Sequence, residues 1–289
     1  MKLLIIGPSR YQDNGSVLKR WKIPFPRLNL LSLAGLTPKG VEIKVVDEIV
    51  QPLDLETECD LVAITALTNQ APRAYDIAKH FRNRGKKVVM GGIHASALPD
   101  EAAQHVDSVV IGEADFIWED VINDFKNNSL KPTYKPSRFH DLKGLPVPRY
   151  DLVDKSCYLA STMPVQATRG CPHNCDFCTV TKFFGGSYRF APVDDVIRNV
   201  KATGSKRIFF VDDNIIANRA YSTELFTKLI PLKIQWAGQS TIHLGRFPDL
   251  CRLMDKSGCT YLVLGVESVN QASLAGVGKP QNKVEEYYK

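Results

Sequence analysis

Apolar residues recur along this chain in two rhythms. Leu3 to Ile6, Ile43 to Val46, Leu61 to Ile64, Val88 to Met90 and Val109 to Ile111 are short unbroken runs, rich in β-branched residues and bounded by Gly, Asp or Thr. Runs apolar on both faces suit the central strands of a parallel sheet. Between them the apolar positions fall at helical spacing: Arg27 to Thr37, carrying Leu28, Leu30, Leu31, Leu33 and Leu36; Pro72 to Arg84, with proline in its first turn; and Phe116 to Lys126. Strand and helix alternate, and right-handed crossovers turn that alternation into a doubly wound parallel sheet with helices on both faces, over residues 1–128.

The rhythm then stops. Asn127-Asn128-Ser129 ends the last helix, and Lys131 to Tyr150 carries Pro132, Pro136, Gly144, Pro146 and Pro148 without either period. Residues 129–160 therefore read as a linker running extended over the surface. Beyond it, residues 161–289 alternate again. Strands are expected at Pro164 to Thr168, Arg207 to Val211, Ile234 to Gln239 and Tyr261 to Gly265, and helices at Pro192 to Ala202, Ala220 to Leu229 and Pro248 to Lys256. About four βα units predict part of a (β/α) barrel. The chain then ends in 282–289, read as the start of another helix, so the sequence looks like a fragment with an unpaired last strand that would promote association. The apolar faces of Ile234 to Trp236 and Tyr261 to Leu264 are expected to be covered on one side only.

Composition changes the picture little. At 289 residues, 44% hydrophobic and 24% charged, the chain is long enough for two cores. The net charge of +6 is dispersed, with its densest cluster, Lys79 to Lys87, at a helix end where basic residues are expected. Nucleic-acid binding gains no support. No run approaches the ~20 apolar residues of a membrane span, and the N-terminal apolar stretch is too short for a signal peptide. Seven cysteines, an odd number, fit a reducing, cytoplasmic setting.

Three of those cysteines fall within eight positions, in Cys171-Pro172-His173-Asn174-Cys175-Asp176-Phe177-Cys178. Soft thiolates select iron–sulfur clusters or zinc. Three of them on one loop suit three corners of a 4Fe–4S cube and leave one iron open. Zinc wants a fourth ligand at matching spacing, and His173 would strain the loop. A disulfide framework does not suit a long chain without an export signal. Cys59 and Cys157 read as ordinary half-buried thiols.

The spacing Cys-x3-Cys-x2-Cys, with an aromatic residue before the last Cys, resembles the cluster motif of the radical S-adenosylmethionine (radical SAM) enzymes. Pro26 to Ala34, Val45-Val46-Asp47, Gly91-Gly92-Ile93-His94 and Val110-Ile111-Gly112-Glu113 resemble the cobalamin-binding domain, Rossmann- or flavodoxin-like, that precedes the barrel in many of them. Ligands of open parallel sheets bind beyond the carboxyl ends of the strands. There this chain puts small and hydroxyl residues, so Ser9, Thr65, Gly91, Gly92, His94, Gly112 and Glu113 are candidate cobalamin contacts. The D-x-H-x-x-G motif, whose histidine replaces the cofactor's own base on cobalt, is missing. His94 is the available substitute, weighed against a hydrogen-bonding role; resemblance to the radical SAM branch implies no histidine below cobalt.

The resemblance further implies that Cys171, Cys175 and Cys178 ligate the cluster and that Phe177 lies along the adenine of S-adenosylmethionine. Glu267 would contact the ribose or amino group. Asp213, Gln239 and Ser268 stand at strand ends on the same face, where catalytic groups of parallel barrels gather. Asp213 and Asn214 also suit helix N-caps. Together the cofactors (4Fe–4S, S-adenosylmethionine and cobalamin) imply methylation of an unactivated carbon of a small-molecule substrate, with cobalamin facing the barrel mouth and electrons from a flavodoxin or ferredoxin. Cyclisation or rearrangement is the alternative on the same scaffold. An RNA methylthiotransferase would need a three-cysteine N-terminal domain, where this chain has only Cys59. A non-catalytic cobalamin or iron–sulfur binding protein, or an inactive fragment, is the remaining reading.

Overall fold

The computed structural model describes residues 1–287; of 288 and 289, the end of the expected last helix, nothing is described, nor of the side chain of residue 160. The chain divides into two compact units, residues 1–140 with 145–159, and residues 141–144 with 160–289.

In the first unit, β1 (Lys2–Gly7), β2 (Glu42–Asp47), β3 (Leu61–Thr65), β4 (Lys87–Gly91) and β5 (Ser108–Val110) form a parallel sheet in the order β2-β1-β3-β4-β5. That is the flavodoxin-like order, with the switch point between β1 and β3. Helices α1 (Leu28–Leu36), α2 (Ala71–Asn83), α3 (Ile93–Ala97), α4 (Pro99–Ala103) and α5 (Trp118–Lys126) make the crossovers. Because side chains alternate along a strand, each strand feeds two cores. Leu4, Ile6, Val62, Ile64, Val88 and Met90 pack with Ala74, Ile77 and Phe81 of α2 on one face. Leu3, Ile5, Leu61, Ala63 and Val89 pack with Leu30 of α1 and Trp118, Val121 and Ile122 of α5 on the other. The Trp118 indole N–H donates to Thr37 Oγ1 at 2.9 Å.

Residues 129–160, expected as an extended linker, are exposed over much of 135–149 but add to the first unit at either end. A sixth parallel strand, β6 (Thr133–Tyr134), extends the sheet beside β5, and Tyr134, Tyr150 and Tyr158 are buried. Two residues of strand between prolines carry no period, yet burying three tyrosines outweighs the proline-rich composition of the segment.

In the second unit, β7 (Met163–Val165), β10 (Arg207–Phe210), β11 (Gln235–Thr241) and β12 (Cys259–Gly265) pair in parallel and in chain order, as in a barrel wall. A short antiparallel ribbon, β8 (Thr168–Arg169) with β9 (Arg189–Phe190), closes the loop between them. Helix α6 (Thr179–Phe184) lies inside that loop, α7 (Val193–Ala202), α8 (Arg219–Leu229) and α9 (Pro248–Lys256) connect the strands, and α10 (Gln271–Gly276) follows β12. Trp236 stacks on Phe226 at 5.1 Å and meets Phe210 edge-on at 5.5 Å. Ile234 and Trp236 are therefore fully covered rather than covered on one side. Along β12 the exposure is real: Tyr261, Val263 and Leu264 face outward. The expected terminal helix is, among the described residues, a single 3-10 turn, Val284–Glu286.

Candidate cofactor sites

The thiol loop of the second unit is built from its entry. Asp212, completely buried two residues past β10, accepts from the backbone N–H groups of Ala167 and Thr168 and from Thr168 Oγ1 at 2.6 Å, which fixes the chain just before the ribbon. Burial pushes its carboxyl up to about 7, against the pull of these donors. The Tyr221 hydroxyl donates to Ala167 O and Ala191 O, joining the two arms of the loop. At Gly170 the chain turns with φ +85°, and a Cβ there would lie 2.0 Å from Ser187 O, so the loop neck admits only glycine.

Beyond the neck stand Cys171, Cys175 and Cys178, all free thiols, with Cys175 buried and the others partly so. Burial raises the Cys171 thiol, and the neighbouring Asp213, Cys178 and Cys175 raise it further. Among the described residues no three His, Cys, Asp or Glu side chains close on one point as a single ion requires. A tetrahedral zinc would need sulfurs about 3.8 Å apart. Three soft thiols spread along one loop suit the corners of an iron–sulfur cube. Burial lowers the His173 imidazole, and His243, whose ring lies 5.8 Å away, and Lys279 lower it further. The other thiols are engaged elsewhere: Cys251 Sγ approaches Leu244 O, and burial raises Cys259 to about 11.

The strand ends deliver part of the expected set. Burial raises the carboxyl of half-buried Asp213, while the Gly170 N–H pulls it down, which places it at the loop neck beside Cys171. Neither Asp213 nor Asn214 caps a helix; Asn218 caps α8, accepting from Tyr221 N. Gln239 is half-buried on β11, and its carbonyl accepts from Ile215 N. Phe177 is 53% exposed, with the Lys279 ammonium 6.0 Å from its ring centroid. Glu267 follows β12 in the left-handed region, φ +64°, paired with Lys279 at 2.7 Å, while Ser268 Oγ accepts from Asn270 N.

The sequence reading passed over the segment that covers this corner. Val277 O accepts from Asp176 N, Gln281 Nε2 lies 3.7 Å from Cys175 Sγ, and Gln281 O is 2.6 Å from His243 Nε2. Asn282, fully buried, donates to Gly265 O and Val266 O. Gly278-Lys279-Pro280 was the only local hint, a turn signal around a lone cation.

The first unit offers a different surface beyond its strand ends. Asn29 Nδ2 donates to Thr65 Oγ1 at 3.0 Å, Ser96 Oγ donates to Gly92 O, and Gly112 N donates to Ser96 Oγ. This net links the ends of β3, β4 and β5 through small groups, and Gly92 (φ +94°) has no room for a Cβ against Thr65 and Ala66. Leu67, Ile93 and Phe116 stand exposed around it. A flat polar-edged ligand fits a floor of small residues with an apolar rim. Ser9 is not part of that floor: it is buried, its Oγ donating to Leu18 O and its N–H to Glu48. His94 is buried too, between α2 and α4, with Nε2 2.7 Å from the Tyr75 hydroxyl and 3.5 Å from Glu101. Glu113 is also buried, leaving Thr65, Gly91, Gly92 and Gly112 as the partly open positions.

Two α/β units in tandem, one with a cradle at the switch-point face of its sheet and one with a three-thiol loop after its first barrel strand, define a cofactor-dependent enzyme class. The B12 binding domain profile matches residues 24–122 and the radical SAM superfamily profile residues 165–289. The chain thus carries a B12 binding domain ahead of a radical SAM domain, and its cofactors are accordingly a 4Fe–4S cluster, S-adenosylmethionine and cobalamin. It is similar to two proteins of Chlorobaculum tepidum. Bacteriochlorophyllide d C-12(1)-methyltransferase is 31% identical over 99% of this chain and 64% of the relative. Bacteriochlorophyllide d C-8(2)-methyltransferase is 32% identical over 92% and 63%. The chain thus spans just under two thirds of the length of these relatives. The solved structure of the radical S-adenosylmethionine methyltransferase TsrM from Kitasatospora setae, with cobalamin and a [4Fe-4S] cluster bound, shares the fold at a TM-score of 0.74 and 14% identity, over 98% of this chain and 62% of that one.

Proposed function

We propose that this protein methylates an unactivated carbon of a small molecule. The observation that carries the reading is the pair of relatives above 30% identity, both named as methyltransferases acting at carbon positions of bacteriochlorophyllide d. When bound, the cluster supplies the electron that splits S-adenosylmethionine, and cobalamin supplies a carrier for the methyl group. The chain's own residues bind and orient. Cys171, Cys175 and Cys178 hold three irons, with Asp212 and Gly170 fixing the loop that presents them. Phe177 covers the adenine, and Glu267, Ser268, Gln239 and Asp213 offer acceptors to the rest of S-adenosylmethionine. Thr65, Gly91, Gly92 and Gly112 would cradle cobalamin, with His94, whose backbone N–H donates to Ala66 O, behind that floor. A flavodoxin or ferredoxin supplies the electrons, and a reducing, cytoplasmic setting suits an oxygen-sensitive cluster.

The test is anaerobic reconstitution with iron, sulfide and cobalamin, followed by S-adenosylmethionine bearing a deuterated methyl group, a reductant and bacteriochlorophyllide d as the first substrate tried. The expected products are 5'-deoxyadenosine and a substrate carrying the label. Failure to form 5'-deoxyadenosine sinks the reading. Substitution of Cys171, Cys175 or Cys178 by Ala is expected to remove the broad cluster absorption near about 400 nm, and substitution of Cys59, Cys157, Cys251 or Cys259 to leave it.

A further inference from the structure

The side chain of Lys279 is only 8% exposed, and a lysine is rarely so deep unless something holds its charge. Its ammonium donates to Glu267 Oε1 at 2.7 Å and to Gly265 O at 3.1 Å, and sits 6.0 Å from the centroid of the Phe177 ring. Glu267 itself is strained: a side chain in the left-handed region persists only where its surroundings dictate it. The dictating groups all come from one later segment. Besides Lys279, Asn282 Nδ2 holds Gly265 O and Val266 O, and the Tyr287 hydroxyl holds Val266 O. That segment is tied in turn to the thiol loop, because Asp176 N donates to Val277 O. Gly278, at φ +66°, leaves 3.0 Å between a would-be Cβ and Asp176 Oδ1.

We propose that Lys279 is the positioning residue for S-adenosylmethionine. It pins one oxygen of Glu267 and cancels its charge, so the other oxygen is presented in a fixed direction to a hydroxyl or amino donor of the cofactor beside Phe177. This rests on the reading of Glu267 as a cofactor contact.

The test uses the anaerobically reconstituted full chain without reductant and measures the dissociation constant of S-adenosylmethionine by equilibrium dialysis, with cluster absorption as the control for folding. Losing a charged hydrogen bond that orients a ligand group costs about tenfold or more in affinity. Lys279→Met is expected to weaken binding by that factor with the cluster retained, and Lys279→Arg to restore most of it. Lys279→Met combined with Glu267→Gln is expected to be no weaker than Glu267→Gln alone, because the lysine acts through the glutamate. If Lys279→Met loses the cluster, Lys279→Gln, which keeps a donor for Gly265 O and lacks the charge, replaces it. Wild-type affinity in the lysine variants, or losses that add in the double variant, would overturn the proposal while leaving Glu267 in place. Wild-type affinity in Glu267→Gln would overturn the reading of Glu267 itself, and the proposal with it.

Discussion

Two buried carboxylates, one in each unit just past the end of a strand, tie distant segments of the chain together, and they do so by opposite means. Glu48, just past β2, is 1% exposed; Arg73 of α2 grips it with two nitrogens, at 2.6 and 3.1 Å, and Ser9 N and Lys19 add to the hold. Burial alone would raise its carboxyl, but Arg73, the Ser9 N–H and Lys19 outweigh burial and bring it below the ordinary range. Asp212 is buried equally well and receives only neutral donors, two N–H groups and one hydroxyl. Burial prevails there, and the carboxyl rises to about 7. A full charge in the interior is stable where a guanidinium meets it. Where only dipoles meet it, the side chain takes up a proton near neutrality.

The largest test of this contrast is Arg73→Met, which strands Glu48. Breaking a buried pair costs about 3–5 kcal/mol, read as a lower urea midpoint. A loss below about 1 kcal/mol would mean that the pair is not needed to hold Ser9 and α2. Asp212→Asn comes next. Its amide offers hydrogens where the loop offers N–H donors, so about 2–3 kcal/mol and much of the cluster absorption should go; an unchanged cluster would show that the neck does not depend on Asp212. The pH profiles should then run in opposite directions. Asp212, with a folded value of about 7 above its ordinary 3.8, contributes stability that is complete below about pH 4 and lost as pH rises through about 7. The cost of Asp212→Asn is therefore greater at about pH 5 than at about pH 8. Glu48, lowered from 4.5, contributes stability that is present above that value and lost as pH falls below it. Profiles of one sign for both residues would break the comparison. The smallest effect belongs to Thr168→Val, which removes one of three donors to Asp212 and should cost about 1 kcal/mol.

What could be read from the sequence was whatever neighbours in the chain decide. Leu3 to Ile6 and Leu61 to Ile64 are apolar on both faces because both faces are buried, so their strands were plain. The thiol spacing was plain because one loop carries all three cysteines. Contacts between distant residues were not. Asp212, beside the expected Asp213 at the end of β10, spends its oxygens on Ala167 and Thr168, 45 and 44 residues earlier. Ser9, expected in the cradle, faces Glu48 instead. Gln281 reaches Cys175 across 106 residues, and no local pattern announces such a partner. Likewise β6 became a strand because an edge was open beside β5, against its own prolines.

The three tryptophans of the chain are distributed so that light can follow each unit by itself. Trp118 lies in the core of the first unit and Trp236 in that of the second, at 2% and 1% exposure, while Trp21 stands 89% exposed. Replacing Trp21 by Phe silences the water-facing emitter and leaves one buried fluorophore per unit. The red shift on denaturation then arises from the two interiors alone, and a further Phe replacement at either buried site isolates the other. Cobalamin and the cluster both absorb in the near ultraviolet and blue, where indole emits, so loading each cofactor should dim its own unit's tryptophan through energy transfer.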